Sequence, residues 1–205
     1  MSEFNENGIP DLLKAPLYKQ QAHEGLMSGR DLKQAELDRL MGLGVNPTSL
    51  FKPQIHVTTI NRVVFYGEHF KFANKGDVRA EQVVTMGLVG DRGLSDVVAW
   101  QPSSERLATL QGLGAALGEC LVKYHFDEHS PALPVFRSPL DWFRADCRGI
   151  VIVHHCIANE LLCAVQRLLA EDEAHRLELR KMFLDDEPQP HILLRNEVNK
   201  PEKVA

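Results

Sequence analysis

The feature that most constrains the fold is a series of strand-like stretches joined by short turns between residues 55 and 100. These stretches are Ile55–Tyr66, Phe70–Ala73, Arg79–Val89 and Asp96–Trp100, and glycine-containing turns separate them. Glycine readily adopts the backbone conformations that tight turns require. Because a parallel return needs a crossover of about a dozen residues or more, strands joined by such short turns run antiparallel. The sequence therefore predicts an antiparallel meander in the middle of the chain.

Helical periodicity flanks the meander on both sides. Apolar residues at helical spacing predict helices near residues 31–42, 105–122 and 157–183, and Glu171–Glu173 is a candidate start of a second helix within the last range. Two short apolar runs, Leu133–Phe136 and Ile150–Val153, predict further strands. Between them, Ser138 followed by Pro139 is typical of a capped helix start. We therefore expect an α+β fold in which an antiparallel β-meander sheet packs against two or three helices.

The distribution of polar residues, glycine and proline suggests three segments. We expect a flexible N-terminal arm over residues 1–30, a single α+β domain over 31–184 and a polar C-terminal tail over 185–205. The arm contains the apolar residues Ile9, Leu12 and Leu13, which are candidate partner contacts. The alternative is that the arm is a tail without a binding role.

Charge and hydropathy exclude several classes of function. The chain has 23 basic and 28 acidic residues, which give a formal net charge of −5. Proteins that bind nucleic acid through phosphate contacts usually carry a basic excess, so the charge argues against nucleic acid. The acidic, polar start differs from a secretory signal peptide, and no apolar run approaches the roughly 18–20 residues that cross a bilayer. We expect a cytoplasmic protein with no membrane partner.

Four segments carry a resemblance to a known group of proteins. They are Gly44–Leu50, Leu94–Trp100, Arg137–Ala145 and Gly149–Val153. These segments resemble uncharacterised small proteins that are encoded in prophage-like and other mobile regions of proteobacterial genomes. The group has no assigned activity and no named catalytic residues. The resemblance therefore implies a setting, that of a mobile-element accessory protein, and implies no chemistry.

One cysteine has neighbours that would suit a nucleophile. Cys156 follows His154 and His155 at the junction of a predicted strand and a predicted helix. Unpaired N–H groups at a helix N-terminus favour a thiolate, and a neighbouring histidine can act as its base. Asp96 or Asp146 is the candidate that would orient that histidine. The alternative is an ordinary structural junction, with all four cysteines present as reduced thiols.

Metal binding is a further hypothesis. His125, Asp127 and His129 alternate, so an extended loop would present them on one side, together with His154 or His155. The alternative is a solvated loop, and we expect no metal and no cofactor. Glu171, His175 and Glu178 share a face if residues 171–178 are helical, which we interpret as an exposed ion pair.

The two tryptophans complete the candidate residues. Trp100 and Trp142 both lie in the segments that carry the resemblance, where an exposed ring would be a strong contact anchor, and where core packing is the alternative. We expect a non-catalytic accessory or protein-interaction protein that takes a protein partner or associates with itself. The alternative is a small hydrolase or transferase that uses Cys156 with a nearby histidine, or a metal-dependent enzyme.

Overall fold

The computed structural model describes residues 10–52, 55–90, 93–127, 129–183 and 189–198. Within these residues the strands form two sheets, a closed five-stranded barrel followed by an open five-stranded sheet. Helices precede the barrel and alternate with strands of the open sheet. The α+β class is thus confirmed. None of the described helices combines the length and the apolar character that crossing a bilayer requires.

The barrel comprises the predicted meander but closes on itself. Its strands are β1 (Thr58–Tyr66), β2 (His69–Phe72), β3 (Glu81–Gly90), β4 (Gly93–Gln101) and β5 (Arg106–Thr109), in the order β1-β2-β5-β4-β3. Strand β1 pairs antiparallel with both β2 and β3, and β2 meets β5 in parallel. The prediction of a simple antiparallel meander sheet is therefore corrected to a closed barrel. Closure removes the unpaired edges that a flat meander would expose.

The second sheet is mostly parallel, which the sequence analysis did not predict. Its strands are β6 (Ala116–Leu117), β7 (Leu133–Phe136), β8 (Ile150–Ile152), β9 (Arg167–Ala170) and β10 (His191–Leu194), in the order β10-β9-β7-β8-β6. Strands β7 to β10 run parallel to their neighbours, and only β6 is antiparallel. Parallel neighbours need crossover connections, and helices supply them here.

Six α-helices and two 3₁₀ helices occur in the described residues. Helices α3, α4 and α5 form the crossovers of the parallel sheet, whereas α1 and α2 precede the barrel and α6 follows β10. Their bounds are α1 Pro10–Met27, α2 Gln34–Gly42, α3 Pro139–Arg144, α4 His155–Leu162, α5 Glu173–Arg180 and α6 Arg195–Val198, with 3₁₀ helices at Pro47–Leu50 and Glu119–His125. The predicted capped helix is confirmed, because the Ser138 side chain accepts a hydrogen bond from the Asp141 backbone N–H.

Two of the predicted long helices do not form. Residues 105–122 contain β5, a loop, β6 and part of a 3₁₀ helix, because Gly112 and Gly118 adopt positive φ angles that interrupt a helix. Residues 157–183 contain α4, β9 and α5, so the second helix after Glu171–Glu173 is present, but a strand separates it from the first. The run Arg167–Ala170 inserts between β7 and β10, so pairing with neighbouring strands outweighs its helical spacing.

Parts of the segments predicted as arm and tail form secondary structure. Residues 10–27 form helix α1, whose Ala22 and Leu26 are buried against barrel residues such as Val63 and Val97. Residues 191–198, within the predicted tail, form β10 and α6. Ile9 lies outside the described residues, and the structure describes the backbone of Leu12 and Leu13 in α1 but not their side chains.

Alternate residues of the barrel strands are buried on opposite faces. One face packs against α1, with Val83 and Val97 among its members. The other face contributes Met86 and Trp100 to a cluster that also includes residues of α2, α3 and the parallel sheet. The side of the parallel sheet away from the barrel buries a separate cluster against α4 and α5. The barrel and the sheet therefore share one apolar core.

Two backbone segments of this fold approach each other closely at Gly118. Gly118 has φ 78°, and a Cβ there would lie 2.4 Å from the Gly149 carbonyl oxygen. We expect Gly118→Ala to lower the free energy of unfolding by about 3 kcal/mol, because left-handed strain adds to a backbone clash. Urea denaturation measures the change.

Two other glycines supply matched controls for that variant. Gly67 also has a positive φ of 62°, but no described atom would lie within 4 Å of a Cβ at this position, so Gly67→Ala isolates the conformational strain at about 1 kcal/mol. Gly42, in α2, is similarly open and not left-handed, and Gly42→Ala should stabilise slightly. Equal losses at Gly118 and Gly67 would contradict the proposed backbone clash.

Candidate functional site at the carboxyl edge of the parallel sheet

The topology of the parallel sheet marks one position as the expected ligand site. From β7 the chain crosses through α3 to β8, whereas from β9 it crosses through α5 to β10 on the opposite side. Strands β7 and β9 are neighbours, so the outgoing connections diverge between them. In open α/β sheets, ligands bind at the carboxyl ends of strands at such a switch point. The residues that directly follow β7 and β9 are therefore candidate functional residues.

Charged side chains of this chain meet at the switch point. Arg137 directly follows β7, and Glu171 and Asp172 directly follow β9. The Arg137 guanidinium donates to both carboxylate oxygens of Asp172 at 2.7 and 3.0 Å, and to Glu178 of α5 at 3.0 Å. The backbone N–H of Arg137 donates to the Glu171 carboxylate at 3.2 Å. The guanidinium and the backbone N–H of Arg137 thus bind three carboxylates, which belong to two residues that follow β9 and one residue of α5.

The pKa values of these groups reflect that pairing. Hydrogen bonds from Arg137 hold the pKa of Asp172 far below its usual range and also lower the pKa of Glu178. The same two carboxylates raise the pKa of Arg137. Burial has the opposite effect on Glu171, whose pKa is raised. The network therefore consists of a permanent cation and at least two firmly ionised carboxylates.

Asp172 also begins helix α5. Its side chain accepts a hydrogen bond from the His175 backbone N–H at 2.8 Å, which is the usual role of an N-cap residue. His175 is buried, and its Nδ1 accepts a hydrogen bond from the Glu171 backbone N–H at 3.3 Å. The interpretation of Glu171, His175 and Glu178 as an exposed ion pair on one helix face is corrected in part: His175 Nδ1 does lie 3.6 Å from the Glu171 carboxylate, but His175 is buried, Glu171 precedes the helix and Glu178 binds Arg137.

The predicted strand-to-helix junction at His154–Cys156 is confirmed and borders a hollow. His154 follows β8 and precedes α4, whose first residues are His155 and Cys156. These three residues line a hollow of about 330 Å³, and Glu68 and Thr109 of the barrel are on its opposite side. Cys156 is exposed, and no hydrogen bond joins its thiol to either histidine in the described part of the chain.

Asp96 is fully buried and does not line this hollow. Its carboxylate accepts hydrogen bonds from the backbone N–H groups of Val97, Gln111 and Leu113, at 2.7, 3.1 and 2.8 Å. Burial raises the pKa of Asp96, although these hydrogen bonds act in the opposite direction. Asp96 thereby orients the loop between β5 and β6, and its described hydrogen bonds do not reach the histidines or Cys156.

The loop that contains His125, Asp127 and His129 lies at the opposite edge of the sheet. The His125 carbonyl accepts a hydrogen bond from Gln166, which precedes β9, so the loop is near the amino ends of the strands. His125 Nδ1 donates to the Pro131 carbonyl at 2.7 Å, and Asp127 accepts from the His129 backbone N–H at 2.7 Å. The structure does not bring this loop together with His154 or His155. Among the described residues, no three His, Cys, Asp or Glu side chains are placed to hold a metal ion.

Both tryptophans are core residues. Trp100 and Trp142 are 0% exposed, and the Trp142 indole N–H donates to the Gly149 carbonyl at 2.8 Å. Neither ring reaches the surface, so the partner-contact role considered for them is not available in this structure. Their rings instead pack with Phe143, at centroid distances of 5.9 and 5.2 Å.

A buried cysteine–histidine pair escaped the sequence analysis. Cys147 lies 3.6 Å from His56 Nε2, and both side chains contact the Ser49 carbonyl, which accepts from His56 at 3.0 Å. Thr58 donates to His56 Nδ1 at 2.8 Å. Burial raises the pKa of the Cys147 thiol to about 12 and lowers the pKa of His56 to about 4, so both groups are neutral at pH 7. The pair is a packing element, and its partners are too far apart in sequence to be recognised by spacing.

Comparison of the chain with protein-family models, with curated proteins and with solved structures finds no match. The mobile-element setting that the sequence resemblance implies stays a hypothesis. Function is therefore inferred from the geometry of the carboxyl edge.

His56 makes the stability of the protein dependent on pH. Its pKa is about 4 when folded, because burial and the nearby Lys52 disfavour the charged ring, and about 6.5 when unfolded. The contribution of the neutral His56 ring to the free energy of unfolding is fully present above pH 6.5. It is lost as the pH falls towards 4, by about 3 kcal/mol in total. Urea denaturation between pH 4 and 7 measures it.

The variant His56→Gln should flatten this pH dependence. Part of the slope should remain, because the pKa of the buried His175 is also lowered. His155→Gln, at an exposed position, is the matched control and should leave the profile unchanged. An unchanged profile in His56→Gln would contradict the assignment.

Arg137 is predicted to be energetically coupled to Asp172. Arg137→Gln leaves the surrounding carboxylates without their cation and should lower the urea midpoint, whereas Asp172→Asn removes one charge but keeps a capping oxygen. The double variant should lose less than the sum of the two single losses. Additive losses would contradict direct coupling. Arg148→Gln, whose side chain is 84% exposed, is the control.

Proposed function

We propose that the protein is a non-catalytic interaction protein that acts by docking onto another protein, as an accessory of a mobile genetic element. The observation that carries this proposal is the set of ion pairs at the switch point of the parallel sheet. At the position where parallel α/β sheets usually bind ligands, the guanidinium of Arg137 already binds Asp172 and Glu178. The chain's own ion pairs occupy the place of a substrate or a metal.

The details of the ion pairs favour this interpretation. Both oxygens of Asp172 accept from Arg137, and a third hydrogen bond to Asp172 comes from the His175 backbone. A ligand at this position would have to displace the bidentate hydrogen bonds between Arg137 and Asp172. Bidentate pairing is the strongest geometry available to arginine and a carboxylate. Such a pair suits a fixed surface better than a reaction centre.

Exposed apolar side chains near the same edge also support docking. Leu177 of α5 is 48% exposed and adjoins Glu178 in the sequence, and Leu113 is 52% exposed in the loop that Asp96 holds. Exposed leucines beside charged groups are common at protein interfaces, which combine apolar contacts with a polar rim.

One observation favours an enzyme as the second candidate. His154, His155 and Cys156 line one hollow together with Glu68, and its volume falls in the range of small-molecule sites. A hydrolase or transferase would use the Cys156 thiol as nucleophile and one histidine as base. It would need the thiol and an imidazole to come within hydrogen-bond distance. A metal-dependent enzyme built on His125, Asp127 and His129 has less support, because that loop uses its polar groups on nearby backbone.

Purification from the native host distinguishes these functions. The tagged wild type and Cys156→Ser would be isolated and analysed by native mass spectrometry with metal analysis. Under the proposal, both arrive with the same partner protein at fixed stoichiometry, because serine has nearly the size and shape of cysteine and docking requires no thiol chemistry. A stoichiometric metal or small molecule in the wild type, especially one that is lost in Cys156→Ser, would contradict docking and favour the enzyme.

A further inference from the structure

Two hollows adjoin each other along the carboxyl edge of the parallel sheet. The first, of about 330 Å³, lies between the barrel and the start of α4. The second, of about 700 Å³, lies between α4 and α5. His155 and Cys156 line both. We call the two hollows together the edge groove.

The edge groove combines an apolar floor with a polar rim. Leu107, Ala108 and Val153 line the first hollow, and Met182 lines the second. The rim residues are polar or charged: Glu68, His154, Asn159, Glu160, Glu178 and Lys181. Interfaces that bind protein partners show this arrangement, because the apolar floor supplies the driving force and the rim supplies specificity.

Unpaired carboxylates set the charge preference of the groove. Glu68 lines the first hollow and Glu160 the second, and neither makes an ion pair with any described residue. Glu178 is neutralised by Arg137, and Lys181 is the one lysine or arginine that lines the described groove. Two free carboxylates against one ammonium leave a net negative rim, which disfavours phosphate-bearing polymers and favours basic side chains.

We propose that the edge groove binds an extended segment of a partner protein that carries basic side chains next to apolar ones. Adjacent hollows fit such a segment, because alternate side chains of an extended chain point the same way, about 6.6 Å apart. Apolar side chains lie on the floors of the hollows, and basic side chains pair with Glu68 and Glu160. This inference rests on the proposed docking function and names its surface.

Cys156 reports directly on occupancy, because its exposed thiol lies where the two hollows meet. The probes are two acetylated ten-residue peptides made of glycine, serine and leucine, one with two arginines and the other with two glutamates at the same positions. The measurement is the rate of iodoacetamide alkylation at Cys156, followed by peptide-mapping mass spectrometry. We expect the arginine peptide to slow alkylation about threefold at a concentration of twice its Kd, since a third of the chains are then free.

Charge-reversal variants test whether the arginine peptide binds in the edge groove. Glu160→Lys should abolish the protection by the arginine peptide, whereas Glu105→Lys, which makes the same change at an exposed position outside the groove, should retain it. Equal protection by the glutamate peptide, no protection by either peptide, or protection that survives Glu160→Lys would each overturn the proposal.

Isolation of the complex from the native host distinguishes an error in the groove proposal from an error in the proposed docking function. If the wild type and Glu160→Lys are isolated from the native host with the same partner at the same stoichiometry, the groove proposal falls and docking stands. If the wild type is isolated with a small molecule or metal in place of a partner, the proposed function itself falls. Loss of a stoichiometric partner in Glu160→Lys but not in Glu105→Lys supports both.

Discussion

Aromatic rings from both halves of the molecule meet in the core that joins the barrel to the parallel sheet. Trp100 comes from barrel strand β4, and Trp142 and Phe143 come from α3, which connects two strands of the sheet. Each buried ring removes roughly 150–250 Å² of surface from water, which corresponds to about 4–6 kcal/mol as an upper estimate. Every other feature of the carboxyl edge depends on this contact, because it fixes α3, and thereby the end of β7, against the barrel.

Arg137 and the edge groove are both consequences of that arrangement. The hollow beside Cys156 has one wall from the barrel and one from the sheet, so it exists only while the shared core holds the two together. Arg137 follows β7 directly and meets carboxylates that follow β9. Exposed ion pairs stabilise a fold only slightly. Their importance here lies in the position they occupy, which is the switch point of the sheet.

Local patterns predicted the elements whose conformation depends on nearby residues. Four of the five barrel strands follow from strand-like stretches and glycine turns, whereas β5 lies in a range predicted to be helical; α3 follows from Ser138 and Pro139. The strand-to-helix junction at His154–Cys156 was likewise predictable, since β8 is a short apolar run. The candidate site was predicted only in part. The sequence pointed to Cys156 and its histidines, but Arg137 carried no signal because its partners lie more than thirty residues away.

The sequence by itself determined the α+β class, the positions of most barrel strands and the chemical character of the chain, because these depend on local periodicity, turn residues and composition. Tertiary structure alone decided the closure of the barrel, the strand identity of Arg167–Ala170 and the burial of both tryptophans. It also decided which charges meet. The physical reason is that strand pairing and ion pairing join residues distant in sequence, and an apolar run spaced like a helix becomes a strand when neighbouring strands offer it hydrogen bonds on both sides.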